Sequence, residues 1–252
     1  MATYSPGRLA TDLGVLGVGE GDVVMVHASL RALGSVDGGA AGVVQALELA
    51  VGSSGTLLMN LGAQEGAHPF EKDTTPADPD VGVLAEVFRQ LPGTVVNDHP
   101  DARFGARGRL AAALLAEPLP WHDPYGPGSI LERFVLAGGK VLRLGADPDT
   151  VTLLHLAEYR VDLPAKRRVV RHHEVRTPSG STAVRAVSCL DDTDGIVDWP
   201  GEDYFALILG DYLDQGRGCT GRVGAARSEL LDAADLLEHA VTWMGKNLRV
   251  TR

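Results

Sequence analysis

Residues 145–161, GADPDTVTLLHLAEYRV, decide the fold, because they predict that the chain leaves a buried strand and turns into a helix. The strand is the apolar segment KVLRL at positions 140–144. Asp149 or Thr150 is expected to cap the helix, since their side-chain oxygens can accept bonds from amides of the first turn. At about 100° per residue, one helix face is predicted to be buried, formed by Leu153, Leu154, Ala157 and Val161.

Two polar residues of this helix, His155 and Glu158, lie at the border of the apolar face, one helical turn apart. A half-buried histidine that follows a strand end is well placed for acid–base chemistry. On spacing alone, the commoner case is a histidine at the edge of the core whose ring is held by hydrogen bonds. His155 is therefore the first candidate for a catalytic residue.

The rest of the chain continues the alternation of strands and helices. Before the central segment, the patterns predict helices at 6–16, 40–51, 81–91, 110–117 and 130–136, and strands at 22–28, 55–61 and 94–96. After it, they predict hairpin strands at 167–175 and 182–190, a helix at 201–214, a strand at 222–231 and a closing helix at 232–248. Between them, we expect a glycine-rich loop at 29–39, a candidate binding loop at 62–80, a turn at 99–104 and an acidic linker at 191–198. These patterns predict an α/β core with an antiparallel addition.

The chain is acidic, with 33 Asp and Glu against 23 Lys and Arg and a formal charge of −10. Such a surface repels nucleic acid, which needs basic patches to meet its phosphates. It attracts a polycation, although an acidic surface also simply favours solubility. The charge therefore excludes nucleic acid as a partner and leaves cationic small molecules open.

Several other classes of protein are excluded by missing patterns. The sequence contains no GxxxxGK[ST] loop, no GxGxxG after a strand, no GxSxG and no HExxH. Cys189 and Cys219 are too few for a disulfide framework and lack metal-ligand spacing. No apolar run approaches the ~20 residues of a membrane helix, and residues 1–14 do not resemble a secretory signal. A cytoplasmic protein without a bound metal is expected.

A set of short motifs extends over nearly the whole chain with its order and spacing intact. The motifs are VHASL at 26–30, GSSGTLLM at 52–59, TP at 75–76 with GVLAEVF at 82–88, HPDARFGARG at 99–108, GPGS at 126–129, KVLRLGADPDTVTLLHLAE at 140–158, PAKRRV at 164–169, GEDYF at 201–205, and 221–243. Taken together, they make the chain resemble the aminoglycoside 3-N-acetyltransferases, a family of antibiotic acetyltransferases unrelated to the common GNAT fold.

The resemblance implies a single domain over residues 1–252, with a central mixed β-sheet flanked by helices and an antiparallel hairpin added in the C-terminal half. It also implies an antibiotic resistance enzyme that transfers acetyl directly from acetyl-CoA to the 3-amino group of the 2-deoxystreptamine ring. Its partners would be these two small molecules, with no metal and no membrane, in a monomer or homodimer. One alternative is an acetyl-CoA-dependent N-acetyltransferase of the same fold that acts on another amine, and another is an acidic binding protein without catalysis.

The resemblance assigns the general base to His155 and the carboxylate that orients it to Glu202. Glu158, one helical turn from His155, is the rival partner. A base is needed because an ammonium group cannot attack a thioester until it loses a proton. On the cofactor side, the resemblance implies contacts from His27, Ser29, Leu30, Arg103, Phe104, Gly108, Thr150 and Thr152. Because aminoglycosides are polycations, we expect carboxylates and aromatic rings on the substrate side, namely Glu65, Glu71, Asp73, Trp121 and Asp123, together with Glu158 and Glu202.

Two positions depart from the pattern of the family. Val96-Asn97 stands before His99-Pro100 where the family often has Arg-Ser, and Arg103-Phe104 stands after it where the family often has Ser-Phe. Arg103 is expected either to bind a coenzyme phosphate in place of a hydroxyl contact or to form a surface salt bridge.

Overall fold

A mixed sheet lies at the centre of the computed structural model, which describes residues 3–64, 66, 69–177, 179–191 and 203–248. The strands are β1 (Val23–Ala28), β2 (Thr56–Asn60), β3 (Val95–Val96), β4 (Phe104–Gly108), β5 (Lys140–Leu144), β6 (Arg168–Arg176), β7 (Thr182–Leu190), β8 (Cys219–Val223) and β9 (Ala226–Asp232). Within the described ranges, seven strands form one sheet in the order β3-β4-β2-β1-β5-β9-β8, while β6 and β7 form a separate hairpin. The neighbours β2, β1 and β5 are parallel, and the outer pairs are antiparallel.

The helices begin where the sequence supplies caps. They are α1 (Pro6–Leu16), α2 (Leu30–Leu33), α3 (Gly39–Val51), α4 (Val83–Gln90), α5 (Ala111–Leu114), α6 (Ile130–Leu136), α7 (Leu154–Glu158), α8 (Tyr204–Asp214) and α9 (Ala233–Asn247). In five of them, a side-chain oxygen at the N-cap accepts a hydrogen bond from an amide of the first turn. These capping residues are Ser5, Ser29, Ser129, Asp203 and Asp232. Among the described residues, no helix has the length and apolarity needed to cross a bilayer.

The side chains of β1 show why the protein has two hydrophobic clusters, one on each face of the sheet. Val24 and Val26 pack with α1 and α3 on one face of the sheet, whereas Val23 and Met25 pack with α6, α7 and α9 on the other. Successive side chains of a strand point to opposite faces, so a strand buried on both faces is almost continuously apolar. This places the sheet between two layers of helices, as the resemblance implies.

Outside residues 145–161, most predicted elements are confirmed within one to three residues, three predictions are wrong and one strand has no prediction. The loop at 29–39 contains α2, the strand at 222–231 is the hairpin β8–β9, the helix at 110–117 shrinks to α5, and β4 was not predicted. The sequence of β4, FGARG, has low strand propensity. Glycine at position 105 leaves room for Leu61 and Phe88, which a Cβ would approach within 3.2–3.3 Å. Of the predicted acidic linker at 191–198, all but Asp191 lies outside the described residues.

The central segment follows its strand as predicted but is organised differently. A 3₁₀ turn at Pro148–Thr150 precedes α7, whose N-cap is Leu153 without a side-chain cap bond. The predicted cap at Asp149 or Thr150 is therefore wrong: the Thr150 hydroxyl instead donates to the Asp147 carbonyl at 2.7 Å. The predicted apolar face is buried throughout.

Candidate active site

A cavity of about 710 Å³ opens at the carboxyl ends of the parallel strands β1, β2 and β5. This edge of an α/β sheet is the usual position for a ligand site. Its polar lining comes from three parts of the chain and consists of His27, Ser29, Arg31, Asn60, Asp80, Asp147, Asp149, Thr150, Thr152 and His155. The cavity therefore collects the ends of the central strands, the residues before α4 and the start of α7.

His155 is held on the wall of this cavity by a contact at its ring nitrogen and by two aromatic rings. Its Nδ1 lies 2.9 Å from Oε2 of Glu158, one turn later on α7. The Tyr125 ring stacks on the imidazole with centroids 5.0 Å apart, and Phe205 meets it edge-on at 4.8 Å. The Tyr125 hydroxyl is itself fixed by donating to the Asp101 carbonyl at 2.8 Å. These contacts define the orientation of the imidazole.

The partner of His155 is a buried carboxylate with two further contacts. Glu158 is 1% exposed, and its Oε1 accepts hydrogen bonds from the Lys166 ammonium and the Tyr204 hydroxyl. The Lys166 Nζ also lies 3.0 Å from the Tyr204 oxygen, to which it donates. Burial is the largest influence and would raise the pKa of Glu158, but His155 and Lys166 outweigh it and hold that pKa below its usual value. The carboxyl group is therefore ionised at neutral pH.

A second histidine, His27, lies at the carboxyl end of β1 and also lines the cavity. Burial, reinforced by the nearby Arg143 guanidinium, lowers the pKa of His27 to about 4. Arg143 pairs with His27 across the strands and forms an ion pair of 2.8 Å with buried Glu229. His27 is consequently neutral at working pH, and its Nε2 makes no hydrogen bond to the described residues.

The predicted cofactor residues divide into two groups. His27, Ser29, Leu30, Thr150 and Thr152 line the same cavity as His155. Arg103, Phe104 and Gly108 do not, because they belong to β4 and the turn before it. The structure thus brings together the strand-end and central-helix candidates and separates the β4 group from them.

The prediction that Arg103 binds a coenzyme phosphate or pairs on the surface is contradicted by its burial. Its side chain is fully enclosed, and the guanidinium donates to the backbone carbonyls of Gly62, Lys72 and Pro76. A guanidinium enclosed in this way binds the 62–80 loop to the sheet. Burial also lowers the pKa of Arg103 to about 10, so the group still carries its charge at neutral pH.

Phe104, Gly108 and Asn97 also contribute to the fold and do not line the cavity. Phe104 is buried, and its ring packs edge-on against Tyr125 at 6.4 Å, so it supports the stack on His155 without lining the cavity. Gly108 lies at the opposite end of β4 with φ +112°, and a Cβ there would come within 2.2 Å of the Gly55 carbonyl oxygen. Asn97 clamps the turn, accepting from the Phe104 amide at 2.6 Å and donating to the Ala102 carbonyl at 2.9 Å.

Of the predicted substrate residues that the structure describes, four do not line this cavity, and Glu158 reaches it through His155. Glu71 and Asp73 are exposed on the 62–80 loop, Trp121 contacts the His99 ring and the Arg185 guanidinium, and Asp123 pairs with Arg168. Glu65 and Glu202 lie outside the described residues. The carboxylates that do line the cavity are Asp80, Asp147 and Asp149. The last two could have been found from the sequence, because they directly follow the carboxyl end of β5.

Comparison with known proteins identifies close relatives over the whole length. A model of the aminoglycoside 3-N-acetyltransferase family matches residues 25–245. The chain is 39% identical over 265 residues to aminoglycoside N(3)-acetyltransferase VII of Streptomyces paromomycinus, covering 96% of this chain and 91% of the relative. It superimposes on a structure of AAC-IIIb in a binary complex with CoASH with a TM-score of 0.94 and 37% identity, covering all of both chains. It is similarly close to AAC-VIa bound to sisomicin, with a TM-score of 0.92, 34% identity and coverage of 98% and 100%.

Proposed function

Because the chain belongs to the aminoglycoside 3-N-acetyltransferase family, we propose that it transfers acetyl from acetyl-CoA to the 3-amino group of an aminoglycoside, with His155 as general base. The observation that carries this proposal is the 2.9 Å contact between His155 Nδ1 and buried Glu158 on the wall of the strand-end cavity. A relative binds CoASH and another binds sisomicin, and both share the fold of this chain.

His155 and Glu158 supply the proton chemistry. With Nδ1–H donated to the carboxylate, Nε2 accepts the proton that the substrate ammonium must lose before its nitrogen can attack. Acetyl-CoA supplies an activated acyl group: the new C–N bond forms as the C–S bond breaks, and His155 returns its proton to the departing thiolate. Glu158 stabilises the imidazolium between the two proton transfers. Transfer is direct, so no covalent acyl-enzyme is required.

The cavity lining fits these two substrates. His27, Ser29, Leu30, Thr150 and Thr152 would hold the acetyl donor beside the strand ends. Neutral His27 can donate or accept one hydrogen bond there without attracting an anion or repelling a cation. The carboxylates of Asp80, Asp147 and Asp149 would attract the ammonium groups of the acceptor, and an acidic surface increases its rate of arrival.

His155→Ala tests the proposal. Turnover should fall by roughly 10²–10⁴, the usual contribution of a positioned base, while the fold persists because the side chain is partly exposed. The assay follows thiol release from acetyl-CoA with an aminoglycoside, with an analogue lacking the 3-amino group, and without acceptor. His122→Ala, at an exposed histidine away from the cavity, is the matched control. Full activity in His155→Ala would exclude the mechanism, and equal turnover of the analogue would exclude the 3-amino group as acceptor.

A further inference from the structure

Lys166 makes the one cationic contact to Glu158, other than that of His155, among the residues that the structure describes. Its side chain is 1% exposed. Its backbone lies in a turn, where the Lys166 amide donates a hydrogen bond of 3.0 Å to the Leu163 carbonyl. Lysine is almost never this deeply buried unless it is paired. The three groups are therefore arranged in series, with the imidazole on one carboxylate oxygen and the ammonium on the other.

The charge balance of this series changes during the reaction. While His155 is neutral, Glu158 and Lys166 form a neutral pair, and the buried carboxylate is compensated. When His155 accepts a proton, the same cluster carries one net positive charge. Lys166 thus stabilises the state in which the base is free and opposes the state in which it is protonated.

We propose that Lys166 is a positioning residue that keeps the His155–Glu158 pair ready to accept a proton, by fixing the carboxylate and lowering the proton affinity of the pair. This inference rests on the proposed role of His155 as general base. Without the ammonium, the buried carboxylate and the imidazole would together hold one proton more tightly, whichever group carries it. Such an enzyme would need a higher pH to free the base.

Other ionisable groups also face the cluster, and all of them remain present when Lys166 is replaced. Tyr125 reaches the imidazole from the loop before α6, and Tyr204 reaches the carboxylate and the ammonium from α8. Across the cavity stand three carboxylates, one guanidinium and one histidine: Asp80, Asp147, Asp149, Arg31 and His27. A shift that appears on replacing Lys166 therefore reports the ammonium.

The test compares Lys166→Met and Lys166→Gln with the wild type. Gln keeps a hydrogen-bond donor for Glu158 but removes the charge, so it also serves if the Met variant folds poorly. In both variants the protonation midpoint of His155, followed by NMR of histidine-labelled protein, should rise by roughly 1–3 pH units, the range for a close charge. The acid limb of kcat/KM should move up with it, so activity at the wild-type midpoint falls about five-fold for a shift of one pH unit and about fifty-fold for two, and it recovers in alkali.

Controls separate charge from space-filling. Lys166→Arg should restore the wild-type midpoint, and Lys246→Met makes the same chemical change on the exposed end of α9 and should leave it unmoved. An unchanged or lowered midpoint in folded Lys166→Gln would overturn the inference. A raised midpoint with an unshifted activity profile would uphold the inference and instead refute His155 as the base.

Discussion

Replacing Glu158 by Gln is the sharpest test of how the base is oriented. The Lys166 ammonium and the Tyr204 hydroxyl both donate to the Oε1 side of the carboxylate. The amide oxygen of a glutamine must therefore stay on that side, and its NH₂ must face His155. Since NH₂ can only donate, Nδ1 would have to accept, and the ring proton would move to Nε2. His155 would then be held in the tautomer that cannot take a proton from the substrate.

The size of the loss follows from this tautomer. In a Ser-His-Asp triad, the same exchange of carboxylate for amide lowers kcat about 10⁴-fold. We expect kcat/KM of Glu158→Gln to fall by roughly 10³–10⁴, about 4–5.5 kcal/mol of transition-state stabilisation. Raising the pH should not restore activity, because the defect is the position of a proton and not the number of protons. In this respect the variant differs from Lys166→Gln.

The assay is thiol release from acetyl-CoA across the pH range, with the folded fraction measured by circular dichroism. That control is needed because Lys166 loses its buried counter-charge, which costs on the order of 3–5 kcal/mol of unfolding free energy. Glu202→Gln is the rival variant, since the resemblance assigned Glu202 as the partner. A Glu158→Gln enzyme within ten-fold of wild type, beside a Glu202→Gln enzyme that has lost 10³-fold, would refute the reasoning and transfer the role to Glu202.

Two further predictions concern the residues around the cavity. Arg103→Ala should lower the free energy of unfolding by about 2–4 kcal/mol, because three carbonyls lose a charged donor. The affinities for coenzyme A and dephospho-coenzyme A, measured by calorimetry, should fall equally. A selective loss of affinity for coenzyme A would show that Arg103 binds its phosphate after all. The pKa of His27 is about 4 in the folded protein, against an ordinary value of 6.5. Between these two pH values, the unfolded chain therefore binds more protons than the folded one. The stability due to neutral His27, up to roughly 3 kcal/mol, is therefore complete above pH 6.5 and lost towards pH 4. Denaturant titrations of His27→Gln should show a shallower loss in that window, and an unaltered slope would contradict this reasoning.

Several features could be predicted because they depend on neighbouring residues. Ser5 and Asp232 cap their helices as their positions before apolar periodic segments indicate. The spacing of His155 and Glu158 indicates that their side chains lie on the same helix face. The carboxyl end of β5 leads into the cavity because ligand sites lie at that edge of a parallel sheet. Each of these inferences needs one element and its immediate flanks.

Other features depend on residues that are distant in sequence. The depth of burial of Arg103 depends on where the 62–80 loop passes, and the sequence alone left phosphate binding and a surface ion pair as the expectations. The strand β4 has little intrinsic strand propensity and forms because β2 and β3 pair with it. Lys166 belongs to a motif recognised in the sequence, PAKRRV, but spacing gives no indication that its ammonium reaches Glu158.

The catalytic geometry itself combines both kinds of information. α7 is a helix of five residues, far shorter than the ~12–15 that a helix needs for stability on its own. Its neighbours must therefore impose its conformation: Leu154, Leu156 and Ala157 are fully buried. The 2.9 Å contact between His155 and Glu158 is then a consequence of tertiary packing as much as of helix spacing. It follows that shortening a buried side chain of α7 should reduce kcat more than the affinity for either substrate, because it loosens the base without altering the cavity lining.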